Sequence, residues 1–596
     1  MLVRLLPRIA ALLVLVVFAP IAAAQEASRT LARIFETYAQ DYLRLNPHEA
    51  TLRGERGYNA VLADGISAEF LAAERALAQR YLGALDALDI AALDATQRNS
   101  VATLRFNLEL ARERHATGFA AKQALMPLNQ FKGLHLELAQ LGSGSGVQPF
   151  ATAADHEAWL ARAAQWPHWV DIAIANMRRG IAGGVVLPRV LAERVLPQLE
   201  AHIVDDPRES VFWGPVTRLA PGTGRDALEP RYHALITKAI VPGYRKLHGF
   251  MREEYLPAAR DSVGRSALPD GANWYALDIR ANTTLALDAD TIHRTGLAQV
   301  ALLHREFGKM RERMGFAGTL PEFFEHLRTS KTYLHPSAEA ALEAYRAVKI
   351  DVASQLPTLF GRIPKADYEV RPVEAFRAAS AAGGSYQRPD AAGTRPGVFY
   401  LNTHDLTRIP TYETMTLSLH EAAPGHHFQV AIATESQQLP DFQRFGYITA
   451  FGEGWALYAE TLGQDMGVFD DPLQYVGFLH SRLFRANRLV VDTGLHARGW
   501  TRGQAIAYFL ENSPMSEADA TAEVDRYMAW PGQALAYMTG ALEIERLRER
   551  AGQELGERFD LREFHDEVLG DGIIPLPVLQ AKIERWIEAR RVAARD

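Results

Sequence analysis

His420 and Glu421 stand side by side in "LSLHEAAPGHHFQ" (417–429), and two further histidines, His426 and His427, follow. His-Glu on an apolar run opens the helix of a zinc-dependent hydrolase, in which a second histidine at i+4 shares the face of the first. Zinc takes three protein ligands and leaves a fourth position for water, whose pKa falls to about 7. A carboxylate beside that water can take its proton and later pass it to a leaving amine. Glu421 has the position for that base. The i+4 position, however, is Pro424.

On an undistorted helix His426 would lie about 240° around from His420, on the wrong side. His427 would return to the right face, roughly 10 Å further along the axis. Pro424 excludes the undistorted case, because it offers no N–H to the His420 carbonyl and its ring crowds that oxygen. Gly425 frees the backbone beside it. A bulge absorbing two extra residues brings His426 to the place i+4 normally holds and turns His427 into packing or a hydrogen bond. A simple kink instead leaves His427 as the second ligand. The spacing alone keeps both open.

A third ligand is expected on a later helix, and "ITAFGEGWALYAETL" (448–462) offers Glu453 and Glu460. Seven residues apart, they share one face, with Trp455 and Tyr458 on the others. Glu453 is the expected ligand and Glu460 the group that orients a ligand histidine. The competing reading is a structural ion pair.

These residues need rigid elements, and the chain around them reads as mainly helical. "SAEFLAAERALAQRYLGALDALD", "TIHRTGLAQVALLHREFGKMRERMG" and "SAEAALEAYRAVKIDVASQL" repeat apolar residues at three- and four-residue steps. Gly, Ser and Pro mark loops at 141–149 and 220–230. Gly222-x-Gly224 has no strand before it, so it does not read as a phosphate loop. The one departure is 380–406, rich in Gly and Pro, which runs into "GVFYLNT", a short expected strand directly before the His420 helix. A strand there can hold an extended peptide by backbone pairing; a plain surface hairpin is the alternative.

The 596 residues carry a net charge of -7, which gives no reason to expect nucleic acid or an acidic membrane surface as partner. "MLVRLLPR", then "IAALLVLVVFAPI", then "AAA" before Gln25 follow the plan of a secretory signal peptide over residues 1–24. An uncleaved anchor is the alternative, but the apolar stretch is short for a bilayer span. The expected location is the periplasm or the exterior, with no stable membrane anchor once the leader is removed. No cysteine is present, which excludes disulfides, thiolate-bound zinc, thiol nucleophiles and a lipid-bearing cysteine.

"HEAAPGHHFQ" followed by "FGEGWALYAETL" resembles the bacterial domain of unknown function 885 family, grouped with the gluzincin-type metallopeptidases. "NWYALDIRANTT" (273–284), "GTRPGVFYLNT" (393–403) and "RYMAWPGQALAYMTGALEIERLR" (526–548) resemble it as well. "GEGWALYAE" is similar to the Asn-Glu-Gly-Phe stretch that carries the third zinc ligand in gluzincin aminopeptidases. The resemblance implies His420, His426 and Glu453 as zinc ligands and Glu421 as base. The two-residue stretch of the His motif departs from the gluzincin pattern.

An oxyanion needs a donor aimed at it. Tyr537, on the helix begun by "PGQALAYMTG", is one candidate, as tyrosine is in related peptidases, and His496 in "VDTGLHARGW" is another. Both have a structural reading too. Tyr386, Arg395 and Asn402 are candidates to line a cleft. The expectation is a large two-lobed helical metallopeptidase resembling the thimet-oligopeptidase type. It consists of a leader (1–24), an N-terminal lobe (25–260) and a catalytic lobe (261–596), acting on short peptides with Zn2+. A zinc hydrolase of a non-peptide amide and a non-catalytic helical periplasmic binding protein are the other two readings; oligomeric state is not legible.

Overall fold

The periodic segments are helices. Ala68–Asp86, Ala289–Arg313 and Ala338–Ala353 cover the three expected stretches. Each is opened by a side chain (Ser67, Asp288, Ser337) that accepts the N–H three residues on, satisfying a donor the helix itself cannot. The computed structural model describes residues 6–374, 378, 382–389 and 395–592, with backbone alone at 6–22 and 223. The first helix runs Leu6–Leu45 and so includes most of the leader, whose residues 1–5 lie outside the described residues. Among the described residues no helix is long and apolar enough to cross a membrane.

Six later helices position the candidate site: α1 (Ala289–Arg313), α2 (Thr414–Glu421), α3 (His426–Glu435), α4 (Thr449–Asp465), α5 (Pro472–Ala497) and α6 (Ala536–Leu555). They sit in a core that draws apolar residues from Tyr275 to Ile587. A second core joins residues 62–259 to Val491, Leu495, Phe509, Tyr527 and Ala534. Helix α5 belongs to both, with Val476, Leu479 and Leu483 in the first and Val491 and Leu495 in the second. A smaller third cluster runs from Leu31 to Leu108.

Helix α4 is buried on nearly every side from Thr449 to Leu462. That is the pattern of an interior helix rather than an amphipathic surface one. Its Trp455 and Tyr458 join Phe360, Phe428 and His565 in one aromatic cluster, with Phe360 4.4 Å from Phe428 and Trp455 5.4 Å from Tyr458, centroid to centroid. Burying such a large side chain contributes about 1.5–3 kcal/mol. The opposite face is thereby left to the two carboxylates. Glycines set the close approaches: at Gly454 a Cβ would collide with the Gly540 backbone of α6, and at Gly463 with the Phe469 ring, with Leu419 of α2 3.0 Å away. These contacts let α6 and α2 pack closely against α4, each at its own place along the helix.

The sheet has three strands, β1 (Tyr368–Pro372), β2 (Gly384–Gln387) and β3 (Gly397–Leu401), in the order β1-β3-β2. β3 is the strand expected at "GVFYLNT". It pairs in parallel with β1 and antiparallel with β2, Tyr386 opposite Phe399. β1 and β2, which the sequence reading did not assign, complete it. Residues 380, 381 and 390–394 of the Gly- and Pro-rich segment lie outside the described residues. β2 is the edge next to the site helices: Gly384 lies against Leu417 and Glu421, where an added Cβ would sit 3.3 Å from the Glu421 Cγ.

Candidate metal centre

The His motif is two helices, not one bulged helix. α2 ends at Glu421, and Ala422 leaves helical geometry at φ -106, ψ -120. The chain passes a cis Ala423–Pro424 bond and restarts as α3 at His426. Pro424 explains the stop, since helix continuation there would leave the His420 carbonyl without a donor. Gly425 is required by space: a Cβ would collide with the carbonyl oxygens of His420 and Leu419. The turn is held from outside by Trp455, whose indole N–H donates to the Pro424 carbonyl at 2.8 Å.

This break does what a bulge was expected to do. His420 and His426 face each other with ring centroids 4.9 Å apart and planes at 89°. Glu453 closes the set: its Oε2 lies 3.3 Å from His426 Nε2 and 3.8 Å from His420 Nε2. One ligand atom from each of the three falls within 4.8 Å of the others. His420 and Glu453 are buried, while the His426 side chain keeps 13% exposure and marks the open side.

The backing groups are also in place. His420 Nδ1 pairs with Glu460 Oε1 at 2.8 Å, and the same oxygen accepts the Ser481 hydroxyl at 2.9 Å. Glu460 is fully buried and its Oε2 has no partner. Tyr447, largely exposed, reaches in to donate to Glu453 Oε1 at 2.6 Å. That bond leaves Oε2 to the histidines. Burial opposes charge on His420, but the Glu453 and Glu460 carboxylates on its two sides raise its pKa to about 9. Burial would likewise raise Glu453, yet His426 and His420 hold it well below the ordinary carboxylate range. Two imidazoles and one carboxylate arranged to share a positive charge suit a divalent cation, and two nitrogens with one oxygen suit zinc.

His427 points away. Its Nδ1 accepts the Tyr386 hydroxyl at 2.9 Å and its Nε2 donates to the Ala366 carbonyl at 3.0 Å. Burial lowers its pKa to about 4, so the ring is neutral and serves to fasten the sheet to α3. Tyr386 is thus a partner of His427, with Arg388 and Arg395 close enough to offset part of its burial. Asn402 does not line a cleft: it is buried, its amide donates to Ala378 O and its Oδ1 accepts the His404 N–H.

Glu421 occupies the last turn of α2, 7% exposed, against β2. Tyr537 lies beside the centre, its ring 6.4 Å from the His420 ring and 15° from parallel. Its hydroxyl accepts from Arg526 at 3.2 Å and Gln533 at 3.3 Å, which leaves its own hydrogen for donation. His496 cannot be the second donor. It is fully buried, its Nδ1 accepts the Arg265 N–H at 3.0 Å, and its Nε2 donates to the Tyr527 carbonyl at 3.0 Å. Burial lowers its pKa to about 3, and both nitrogens are spent on backbone.

Tyr447, Ser481 and Trp455 are the groups that the reading of the sequence did not place around the centre. In the sequence Trp455 declares only its helix face. Tyr447 and Ser481 are common types in segments without a motif, and only folding brings them here.

A family model described as "Bacterial protein of unknown function (DUF885)" matches residues 47–583. No curated protein matches. Among solved structures, a crystal structure of a "putative lipoprotein" from Colwellia psychrerythraea is similar at 27% identity, covering 94% of this chain and 99% of that one, with a TM-score of 0.85. A "putative lipoprotein of unknown function" from Shewanella oneidensis is similar at 18% identity, covering 92% and 99%, with a TM-score of 0.72.

Proposed function

The chain belongs to the DUF885 family of bacterial proteins of unknown function, and because that description leaves the activity open, we propose from the site itself that it is a zinc-dependent hydrolase of short peptides. The observation that carries the reading is the convergence of His420, His426 and Glu453 within 4.8 Å, with Glu460 behind His420. A carboxylate-backed histidine is the usual support of a metal ligand. Plain ion pairing does not need three groups aimed at one point.

Zinc held there would supply a polarised carbonyl and a water acidic enough to ionise near neutrality. His420 would hold it through Nε2, because Glu460 occupies Nδ1. Glu453 would hold it through Oε2, because Tyr447 occupies Oε1. Glu421 takes a proton on its carboxylate and delivers it to the leaving amine. The Tyr537 hydroxyl donates to the developing oxyanion. β2, against Glu421, pairs only with β3 among the described strands, and its other edge is where an extended peptide would add.

The two-lobed, thimet-oligopeptidase-like architecture with a deep cleft and the gluzincin grouping belong to this same reading. So does export to the periplasm or the exterior through the leader. The lipoprotein description stays with the two relatives, since the 596 residues here include no cysteine to carry a lipid.

The test is hydrolysis of a mixture of short peptides by zinc-loaded protein, with new amino termini counted. Activity lost on chelation, restored by zinc and absent from Glu421→Gln supports the reading. Unchanged activity in Glu421→Gln removes Glu421 as base, and no cleavage of any peptide by zinc-loaded protein sinks the peptidase assignment.

A further inference from the structure

Behind Tyr537 the α5 helix presents guanidinium groups, and its one carboxylate, Asp492, is bonded instead to Tyr275 and Gly532. Arg485, half-buried, is 5.7 Å from the Tyr537 ring centroid, and Arg488, 3% exposed, is 4.4 Å from it. Arg526 donates to the Tyr537 hydroxyl. Three guanidinium groups thus surround one tyrosine, and Glu523 pairs with two of them, 2.8 Å from Arg488 and 3.5 Å from Arg526.

Arg485 has no carboxylate of the described residues within ion-pair distance. Among the described residues its Nη1 donates to the Ser481 hydroxyl at 2.9 Å and to the Ser481 carbonyl at 3.5 Å, and its Nε is buried with no partner. Arg488 bonds Tyr527 and Glu523, yet its NH1 is also buried with no partner. A buried guanidinium nitrogen left unpaired is unfavourable, and a planar fork of donors matches a carboxylate. The charge count agrees. A divalent cation balances Glu453 and Glu460, so the arginines are not needed to neutralise the centre.

We propose that Arg485 and Arg488 form the subsite for the α-carboxylate of the substrate, so that the protein removes residues from the carboxyl end of short peptides. The inference rests on the proposed peptidase reading and names its substrate class. Tyr537 lies 6.4 Å from the His420 ring and 5.7 Å from Arg485, and a chain of bonds from Arg485 through Ser481 and Glu460 also leads to His420. Arg485 is therefore within about 12 Å of the centre, a distance that a peptide of at most two or three extended residues covers.

Two measurements test it separately from the chemistry. The first is calorimetric binding of N-acetylated Gly, Ala, Leu and Phe, as free acids and as amides, to metal-free protein and to its Arg485→Gln form. Acids binding at least 10-fold more tightly than the matching amides, with the difference lost in Arg485→Gln, is the expected result. Acids and amides binding alike, or none binding, overturns the subsite. The second is the ratio of kcat/KM for a short peptide acid to that for its C-terminal amide. In zinc-loaded wild type the ratio is expected at 10 or more, falling towards one in Arg485→Gln. A purely structural Arg485 would lower both substrates together and leave the ratio unmoved, which also overturns the subsite. A peptide amide ending in Glu separates the two carboxylates: cleavage as fast as the peptide acid would assign the subsite to a side chain and overturn the proposal. Selective binding of acids without any hydrolysis keeps the carboxylate site and sinks the peptidase reading; hydrolysis of acid and amide alike does the reverse.

Discussion

His420 touches two carboxylates through its two nitrogens: Nδ1 is 2.8 Å from Glu460 and Nε2 is 3.8 Å from Glu453. The pairing assigns the two glutamates of one helix face to different jobs. Glu460 lies at the fully buried back and Glu453 at the front with His426.

That division predicts different losses. Glu453→Ala removes one of three ligands and should leave almost no bound zinc. Glu460→Gln keeps the shape but weakens the hold on Nδ1, and should lower zinc affinity about 10- to 100-fold. Zinc titration with a competing chelator reads both, and the reverse order would exchange the roles.

The late histidines make a second pair. His426→Ala should strip the metal. His427→Ala should keep stoichiometric zinc while losing stability, because it deletes the bonds to Tyr386 and Ala366. Each such bond contributes about 0.5–1.5 kcal/mol. Metal retained by His426→Ala and lost from His427→Ala contradicts the geometry described.

Gly425→Ala tests the turn between the two helices. A Cβ there meets the His420 and Leu419 carbonyls, so the turn must open. Zinc affinity is expected to fall at least about 10-fold, because the two histidines no longer face each other. Normal affinity in the folded variant would show that the turn does not set the ligand spacing.

Much of this centre is legible in the sequence, and the reason is local. His420, Glu421, Glu453 and Glu460 declare themselves by spacing within single helices, and the "GVFYLNT" strand by composition. Pro424 announces a distortion, but whether the helix bulges or stops depends on what holds the turn. Trp455, 31 residues on, supplies that hold. His496 shows the limit from the other side. Its nitrogens are claimed by backbone groups of Arg265 and Tyr527, 231 and 31 residues away, and no local pattern reveals that. Tyr447 and Ser481 enter in the same way, through tertiary contacts.

Stability should fall in acid. His496 and His565 are buried and neutral, each with a pKa lowered by burial to about 3. His565 donates to the Leu359 carbonyl and accepts the Tyr458 hydroxyl. In the unfolded chain both titrate near 6.5, so below that pH the unfolded state binds more protons. Their contribution is complete above about pH 6.5 and is lost as pH falls towards 3, at about 2 kcal/mol per histidine by pH 5. Thermal melting of metal-free protein from pH 8 to 5 reads the slope, and His496→Gln should flatten it. An unchanged slope in the variant would mean that His496 is already charged in the fold.

The central claim is a zinc ion held by His420, His426 and Glu453, and elemental analysis of the purified, zinc-exposed and desalted protein tests it most directly. One zinc per chain is expected in wild type and in Glu421→Gln, and almost none in His420→Ala, His426→Ala or Glu453→Ala. No metal in folded wild type, or one zinc per chain in all three ligand variants, would contradict the account.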